Sequence, residues 1–307
     1  MFFSLSTSWN AFRHISAGEM LFEIRALGFE SVELSFNLSR AMVGEALAEV
    51  SKRQIRVSSV HNYCPVPDDM ERQKALPDCY AMSSPDPSQR AAAVKYAKKS
   101  IDTAAELGAE AVVLHCGRVE MPDKTRELIE LCRQGKRADR LFGEKKGLFI
   151  SEREAIAGAF FANTLRSLEE LERYASSRKI RLGIENRFYY REIPSFEETA
   201  AIFDRFSGSC LCFWYDTGHG RIMENLGFAG QGAFLECYSS YLGGMHLHNV
   251  RNYQDHLPPA VPGGEIDFRE MRVFLQNCPV RVIEAHHPAS AAEISGSLSF
   301  LEGIING

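Results

Sequence analysis

Short apolar runs alternate with longer stretches of helical periodicity along the whole chain. The clearest copies are residues 27–34 and 107–114, which share the pattern Leu-Gly-x-Glu-x-Val-x-Leu. In each copy a glycine ends a helix and an apolar strand follows, because glycine adopts the left-handed conformation at a helix C-terminus without strain. Two strand–helix units of about 40 residues fit between the copies, so the pattern predicts one αβ connection that is used repeatedly.

Eight strands are predicted at this spacing. They cover residues 2–6, 31–34, 55–60, 110–115, 180–185, 210–215, 242–247 and 280–284. Capping boxes, in which Ser or Asp precedes Glu by three residues, predict helix starts at residues 16, 151, 195, 267 and 290. Eight strands alternating with helices over 307 residues predict an α/β fold, a single (β/α)8 TIM barrel spanning residues 1–307. A doubly wound sheet is the alternative, but no glycine-rich phosphate loop follows the first strand.

Two segments exceed the regular unit length. One is a proline-rich loop at about 61–87, and the other runs over about 116–150 and carries an extra predicted helix near residues 125–132. Both follow strands, so both should lie on the C-terminal face, where TIM barrels hold their active sites. The basic run at residues 133–146 is interpreted as a solvated loop or a subunit contact, with a phosphate contact or a lid as the alternatives.

Composition narrows the functional classes. The net charge of −5 gives no support for broad nucleic-acid binding, although it leaves room for a local basic patch. The eight cysteines contain no CxxC pair, which favours reduced thiols and a cytoplasmic protein. The sequence has neither a signal-peptide pattern nor an apolar run of about 18 residues, so no membrane association is expected. A homo-oligomer is compatible with this composition.

The residues at the predicted strand ends carry the candidate chemistry. Glu185, Asp216, His246 and Glu284 each end a different strand, and the ends of parallel strands meet at one mouth of a barrel. Three carboxylates and one imidazole form an oxygen-rich site for a divalent cation. Without a cation the carboxylates would repel one another strongly. His248 should point to the same side and is a further candidate ligand.

Asp216 and His219 lie three residues apart at a strand tip and admit two interpretations. They suit metal ligands or an acid/base pair, whereas the alternative is a helix N-cap provided by Asp216. All nine histidines lie at the end of a predicted strand or after it, and before the main body of the next helix. A random distribution would place several of them in helices, so this concentration predicts a site at the C-terminal face.

These motifs resemble the xylose isomerase-like barrel superfamily, which includes sugar isomerases and epimerases, inosose dehydratases and the endonuclease IV type of abasic-site nuclease. The resemblance rests on six segments: residues 184–186, 216–219, 245–249, 256–259, 264–268 and 283–284. In the epimerase branch the residues matching Glu185, Asp216, His246 and Glu284 hold one divalent ion (Mn, Zn, Co or Mg). There the residues matching Glu185 and Glu284 also carry the substrate proton.

In the nuclease branch, the residues matching His61, His115, His219 and His256 complete a multinuclear zinc cluster. This chain departs from the nuclease pattern at Gln254, where that branch has an aspartate, and in extra residues at 260–262. The resemblance and these departures together predict a metal-dependent isomerase or epimerase, with a zinc-dependent abasic-site phosphodiesterase as the alternative. A barrel that only binds a ligand is disfavoured because the carboxylate set is intact.

The predicted substrate is a sugar, a sugar phosphate or a polyol-like molecule that undergoes proton transfer next to a carbonyl. Glu185 and Glu284 are the predicted catalytic residues, since glutamates on different strands can remove and return a proton. The predicted substrate contacts are His61, His115, Arg187, His219, His256 and Trp214. An alternative for Trp214 is packing inside the barrel, where large apolar side chains are most often found.

Overall fold

Eight of the ten strands close into a parallel barrel in the computed structural model, which describes residues 2–307. The strands are β1 Ser4–Ser6, β2 Ser31–Leu34, β3 Arg56–His61, β4 Ala111–Leu114, β5 Arg181–Glu185, β6 Leu211–Asp216, β7 Leu242–Leu247, β8 Asn249–Arg251, β9 Gln254–Leu257 and β10 Val280–Ile283. The helices are α1 Ala17–Ala26, α2 Arg40–Ser51, α3 Pro87–Leu107, α4 Thr125–Arg133, α5 Arg140–Arg178, α6 Phe196–Arg205, α7 Thr217–Leu226, α8 Ala233–Tyr238, α9 Arg272–Asn277 and α10 Ala291–Asn306.

The barrel order confirms the predicted (β/α)8 fold. The sequence β1-β10-β7-β6-β5-β4-β3-β2 returns to β1, and every neighbouring pair is parallel. Strands β8 and β9 form a separate antiparallel hairpin after β7. Each helix among residues 2–307 is too short or too polar to cross a bilayer.

Several predicted helix boundaries are confirmed by local hydrogen bonds. Ser195 and Ser290 form capping boxes at the starts of α6 and α10. Gly108 ends α3 in the left-handed conformation with φ of +68°, which glycine adopts without a Cβ clash. These contacts are local in sequence, which explains why the sequence pattern predicts them.

Two predicted helix starts are wrong. Helix α5 already begins at Arg140, so that Ser151 lies inside it and its hydroxyl donates to the Leu148 carbonyl at 2.9 Å. At the second position Asp267 accepts from the Arg269 N–H at 3.0 Å and forms a turn before α9. Serine and aspartate cap a helix only where the preceding residues leave the helical conformation, and three-residue spacing alone does not establish this.

Trp214 fills the interior of the barrel below the mouth. Its side chain is fully buried in a cluster with Ala111, Val113, Val280 and Val282. A Cβ atom on Gly183 or Gly244 would lie 2.7 Å or 2.2 Å from the indole ring, so both neighbouring strands need glycine at this level. Large buried aromatic groups contribute strongly to such a core.

Candidate metal centre and active site

A pocket of about 510 Å³ opens at the C-terminal end of the barrel. The predicted site residues in its lining are His61, His115, Glu185, Arg187, His219, His256 and Glu284. Aromatic side chains, among them Phe188 and Tyr253, form part of its wall. A concave pocket of this size with a few convergent polar groups is typical of a small-molecule site.

The four predicted metal ligands converge at this end of the barrel. Glu185, Asp216, His246 and Glu284 are all buried, and one potential ligand atom from each lies within 4.8 Å of the others. This satisfies the geometric requirement that the Glu185 and Glu284 carboxylates lie less than about 10 Å apart for one ion to bridge them. The four residues come from four different strand ends, so barrel closure is what assembles the group.

His246 is oriented by hydrogen bonds on both sides of its ring. Its Nδ1 atom lies 2.7 Å from Glu185 Oε1, 3.2 Å from Glu284 Oε2 and 3.8 Å from Asp216 Oδ2. Its Nε2 atom lies 3.0 Å from Glu33 Oε2. A metal-binding histidine typically donates its second ring N–H to a carboxylate, which fixes the tautomer and leaves the other nitrogen free for the ion. Glu33 takes this orienting position.

The donor set of these four residues fits a divalent cation. The pKa of Glu284 is raised to about 8, chiefly by burial. The charge of His246 opposes this shift, and the surrounding carboxylates add to it. A buried carboxyl that is destabilised in its ionised form needs a proton or a cation beside it. Three carboxylates and one imidazole are ligands that Mn²⁺, Zn²⁺, Co²⁺ and Mg²⁺ accept.

Asp216 forms the predicted helix cap, and its role as a metal ligand stays a prediction. Its Oδ1 atom accepts from the His219 N–H at 2.7 Å and caps α7, and the same carboxylate belongs to the four-donor group. His248 supports it, since His248 Nε2 lies 2.9 Å from both Asp216 oxygens. The other nitrogen, His248 Nδ1, accepts from the His256 backbone N–H at 2.8 Å. These contacts make His248 a positioning residue for Asp216.

His61 and His115 lie beside Glu185. His115 Nε2 lies 2.9 Å from Glu185 Oε2, and His115 Nδ1 lies 3.0 Å from Asp78 Oδ1. The His61 ring is 4.8 Å from the His115 ring, and its Nδ1 atom lies 3.1 Å from the Asn62 carbonyl. Burial and the neighbouring charge of His115 lower the pKa of His61 to about 4. His61, His115 and Glu185 form a second group whose donor atoms lie within 4.8 Å of one another.

His219 and His256 stand on the side of β6 and the β8–β9 hairpin. Together with His248 they form another group of donor atoms within 4.8 Å. Asp255 Oδ2 lies 3.9 Å from His219 Nε2 and 3.6 Å from His256 Nε2. The Asp255 carboxylate, next to Gln254 in the sequence, therefore lies within 4 Å of both histidines. The His256 ring stacks on the His286 ring at 3.8 Å.

Arg187 lies in the pocket wall between two carboxylates. One terminal nitrogen contacts Glu185 Oε2, and the other lies 3.1 Å from Glu192 Oε1. Burial opposes the ionisation of Glu185, but the effects of Arg187 and His115 are larger. They hold the pKa of Glu185 well below its usual value. Arg187 therefore holds Glu185 in place and ionised, and a direct contact to substrate stays a prediction.

The predicted substrate contact of Trp214 is wrong. Trp214 is completely buried beneath His246, at a ring distance of 5.5 Å, and does not line the pocket. Residues two apart in a strand share a face, so Trp214 and Asp216 both point into the barrel, but Trp214 lies about 6–7 Å deeper. The alternation places the residue on the correct face, whereas its depth depends on the barrel register.

Sequence reasoning missed several residues of this site. Glu33 could have been found, because it lies in a predicted barrel strand, and burying a glutamate there costs free energy unless its carboxylate is paired. Asp78 had none, since it lies in an irregular loop far from His115 in sequence. The pocket lining also includes His286 and Arg126, which had no assigned role, and Arg133, the first residue of the basic run 133–146.

Comparisons with known proteins agree with this architecture. The uncharacterized protein y4fM of Sinorhizobium fredii (strain NBRC 101917 / NGR234) is 26% identical over 172 residues, which cover 56% of this chain and 45% of that protein. The matched region therefore spans less than half of that relative. An L-ribulose 3-epimerase superposes with a TM-score of 0.71 at 15% identity, covering 100% of this chain and 95% of that chain.

The 3-keto-D-glucoside 4-epimerase of E. coli gives a TM-score of 0.69 at 15% identity, with 99% of each chain covered. At this level of identity the two structures establish a shared fold. The sequence profile of the xylose isomerase-like TIM barrel family matches residues 21–301. The chain belongs to the xylose isomerase-like TIM barrel family.

Proposed function

We propose that this protein is a divalent-metal-dependent isomerase or epimerase of a sugar-like substrate. The observation that carries the proposal is the buried group of Glu185, Asp216, His246 and Glu284 at the pocket floor. A divalent ion held by these residues would polarise a substrate carbonyl and its neighbouring hydroxyl, which makes the adjacent C–H more acidic. Glu185 and Glu284 line the pocket as well as the donor group, so both can reach a bound substrate.

The two glutamates have different surroundings in the absence of a cation, and those of Glu185 suit the base. Glu185 is held ionised by Arg187 and His115, whereas burial and nearby carboxylates raise the pKa of Glu284 to about 8. A bound divalent cation favours the ionised form of both carboxylates, so each can accept a proton and pass one on. In the proposed reaction a Glu185 carboxylate oxygen takes the proton from carbon, and Glu284 returns a proton.

Arg187 and Asp78 support this assignment from outside the reacting atoms. Arg187 keeps the Glu185 carboxylate oriented, and Asp78 orients His115, whose Nε2 faces Glu185. The aromatic wall formed by Phe188 and Tyr253 suits the apolar faces of a sugar ring. Structurally similar proteins with the names of sugar epimerases are in keeping with this proposal.

A zinc-dependent phosphodiesterase is the second candidate. It is favoured by the groups His61–His115–Glu185 and His219–His248–His256, which adjoin the four-donor group on two sides. Two or three ions in these positions could activate water and hold a phosphodiester. Two observations favour the isomerase: the His248 nitrogens are already engaged by Asp216 and the His256 backbone, and the pocket is concave and partly aromatic.

Hydrogen exchange tests the proposed function directly. Metal-loaded protein would be incubated with a panel of ketoses and ketose phosphates in deuterium oxide, and loss of the proton next to the carbonyl would be followed by NMR. We expect exchange with at least one substrate and its loss on addition of a chelator. The same preparation should leave an abasic-site DNA duplex intact. Efficient incision that a chelator abolishes, without exchange of any sugar, would contradict the isomerase and support the second candidate.

A further inference from the structure

Helix α4 lies beside the pocket and is anchored to the loop that follows β5. The Tyr190 N–H donates to Thr125 Oγ1 at 3.1 Å, and Arg191 donates to the Met121 carbonyl at 3.0 Å. These bonds connect the first residue of α4 and the segment before it to that loop. Leu128 is completely buried on the inner face of the helix. The helix is therefore a packed part of the pocket wall.

Two arginines of α4 line the pocket. Arg126 and Arg133 are seven residues apart, which places them on the same side of an α-helix, two turns from each other. Arg126 donates to the Tyr189 hydroxyl and its guanidinium lies 5.4 Å from the centre of that ring. Arg133 donates from two nitrogens to the Asn252 carbonyl in the β8–β9 turn, at 3.1 and 3.2 Å. Both side chains are thus held by neutral acceptors.

The charges of these two arginines are not neutralised within residues 2–307, because neither forms a salt bridge there. Some neighbouring cations form salt bridges: Lys124 with Glu152, Lys145 with Glu127 and Arg140 with Glu144. Lys136, Arg137 and Lys146 are held by neutral acceptors but lie outside the pocket lining, so Arg126 and Arg133 differ from them by facing the pocket. Arg187, deeper in the same pocket, lies between Glu185 and Glu192. Asp255 is the acidic residue of the pocket beyond the floor, and it is directed toward His219 and His256. Two positive charges therefore face the mouth of a pocket whose floor is rich in carboxylates.

We propose that Arg126 and Arg133 bind the phosphate group of a phosphorylated ketose whose carbonyl end lies at Glu185 and Glu284. The inference rests on the proposed function, and it narrows the substrate class. A phosphate monoester carries a charge of about −1.5 to −2 at neutral pH, which two guanidinium groups match. The planar guanidinium donates paired N–H groups to phosphate oxygens, and arginine keeps its charge at all relevant pH values. A neutral sugar would leave both charges without a partner.

Calorimetric titration of the metal-loaded full-length protein tests this inference. The probes are D-fructose 6-phosphate, D-fructose and inorganic phosphate. We expect D-fructose 6-phosphate to bind at least about tenfold more tightly than D-fructose, since hydrogen bonds to charged groups contribute strongly. Arg126→Gln and Arg133→Gln should each weaken binding of the phosphate ester by about tenfold and weaken D-fructose binding by a clearly smaller factor.

Arg140→Gln is the matched control, because it removes one charge from the same basic region outside the pocket. It should bind all three probes as the unmodified protein does. Arg133 also holds the β8–β9 turn through the Asn252 carbonyl, so thermal unfolding of each variant would show whether the fold is retained. Arg126 does not contact this turn, so Arg126→Gln tests the phosphate site without disturbing the turn. Equal affinities for D-fructose and D-fructose 6-phosphate, or an equal loss of both in the two variants, would overturn the inference.

The outcome separates this inference from the proposed function. Hydrogen exchange with D-fructose but no preference for either phosphate probe would overturn the phosphate site and leave the isomerase intact. Phosphate binding that depends on Arg126 and Arg133, without exchange of any sugar, would support the anion site and contradict the isomerase. Equally tight binding of a ketose carboxylate such as D-fructuronate would overturn the assignment to phosphate.

Discussion

Glu185→Gln should reduce the exchange of substrate hydrogen with solvent deuterium by at least about 10²- to 10⁴-fold, the usual contribution of a positioned acid or base. A glutamine amide has nearly the same shape but cannot accept the proton from carbon. The same change removes an anionic ligand, since Glu185 also lies in the four-donor group. Its effect should therefore exceed that of losing a base alone. NMR in deuterium oxide, at saturating metal, gives the rate.

Glu284→Gln should have an effect of the same order, because the proton must also be returned. Asp255→Asn is the matched comparison, since it removes a carboxylate of the same pocket that lies outside the four-donor group. This variant should retain most of the exchange. Unchanged exchange in Glu185→Gln or Glu284→Gln would show that the proton is carried by another group.

Asp216→Asn should lower metal affinity more than any change in the residues that merely orient the ligands. The amide keeps the size of the side chain and an oxygen that can cap α7, but it loses the charge that attracts the cation. Changes in orienting residues cost about 10- to 100-fold in metal affinity, and Glu33→Gln should fall in that range. Titration against a competing chelator measures both variants. Unchanged occupancy in Asp216→Asn would mean that any ion binds elsewhere.

The barrel could be predicted because its information is local and repeated. A helix that ends at glycine before an apolar strand appears at residues 27–34 and again at 107–114, and both copies form the predicted connection. Once the fold was a parallel barrel, the side chains at its strand ends had to converge. The convergence of Glu185, Asp216, His246 and Glu284 could therefore be predicted from this rule and from their positions at the strand ends.

The rest depends on contacts that the sequence pattern does not contain. The depth of Trp214 depends on the register between strands, and the pairing of His115 with Asp78 depends on the path of an irregular loop. The β8–β9 hairpin was not predicted, because its turn residues Asn252 and Tyr253 adopt positive φ values of 51° and 62° without glycine. It nevertheless carries His256 to the pocket. Neighbouring residues in space, rather than in sequence, determine these features.

The metal content of the purified protein tests the central claim most directly. After saturation and removal of excess ion, elemental analysis should find one tightly held divalent ion per chain, and Asp216→Asn should remove it. His115→Ala should leave that ion bound, because His115 lies outside the four-donor group. Two or three ions per chain, with one lost in His115→Ala, would contradict the single-ion isomerase and favour the phosphodiesterase.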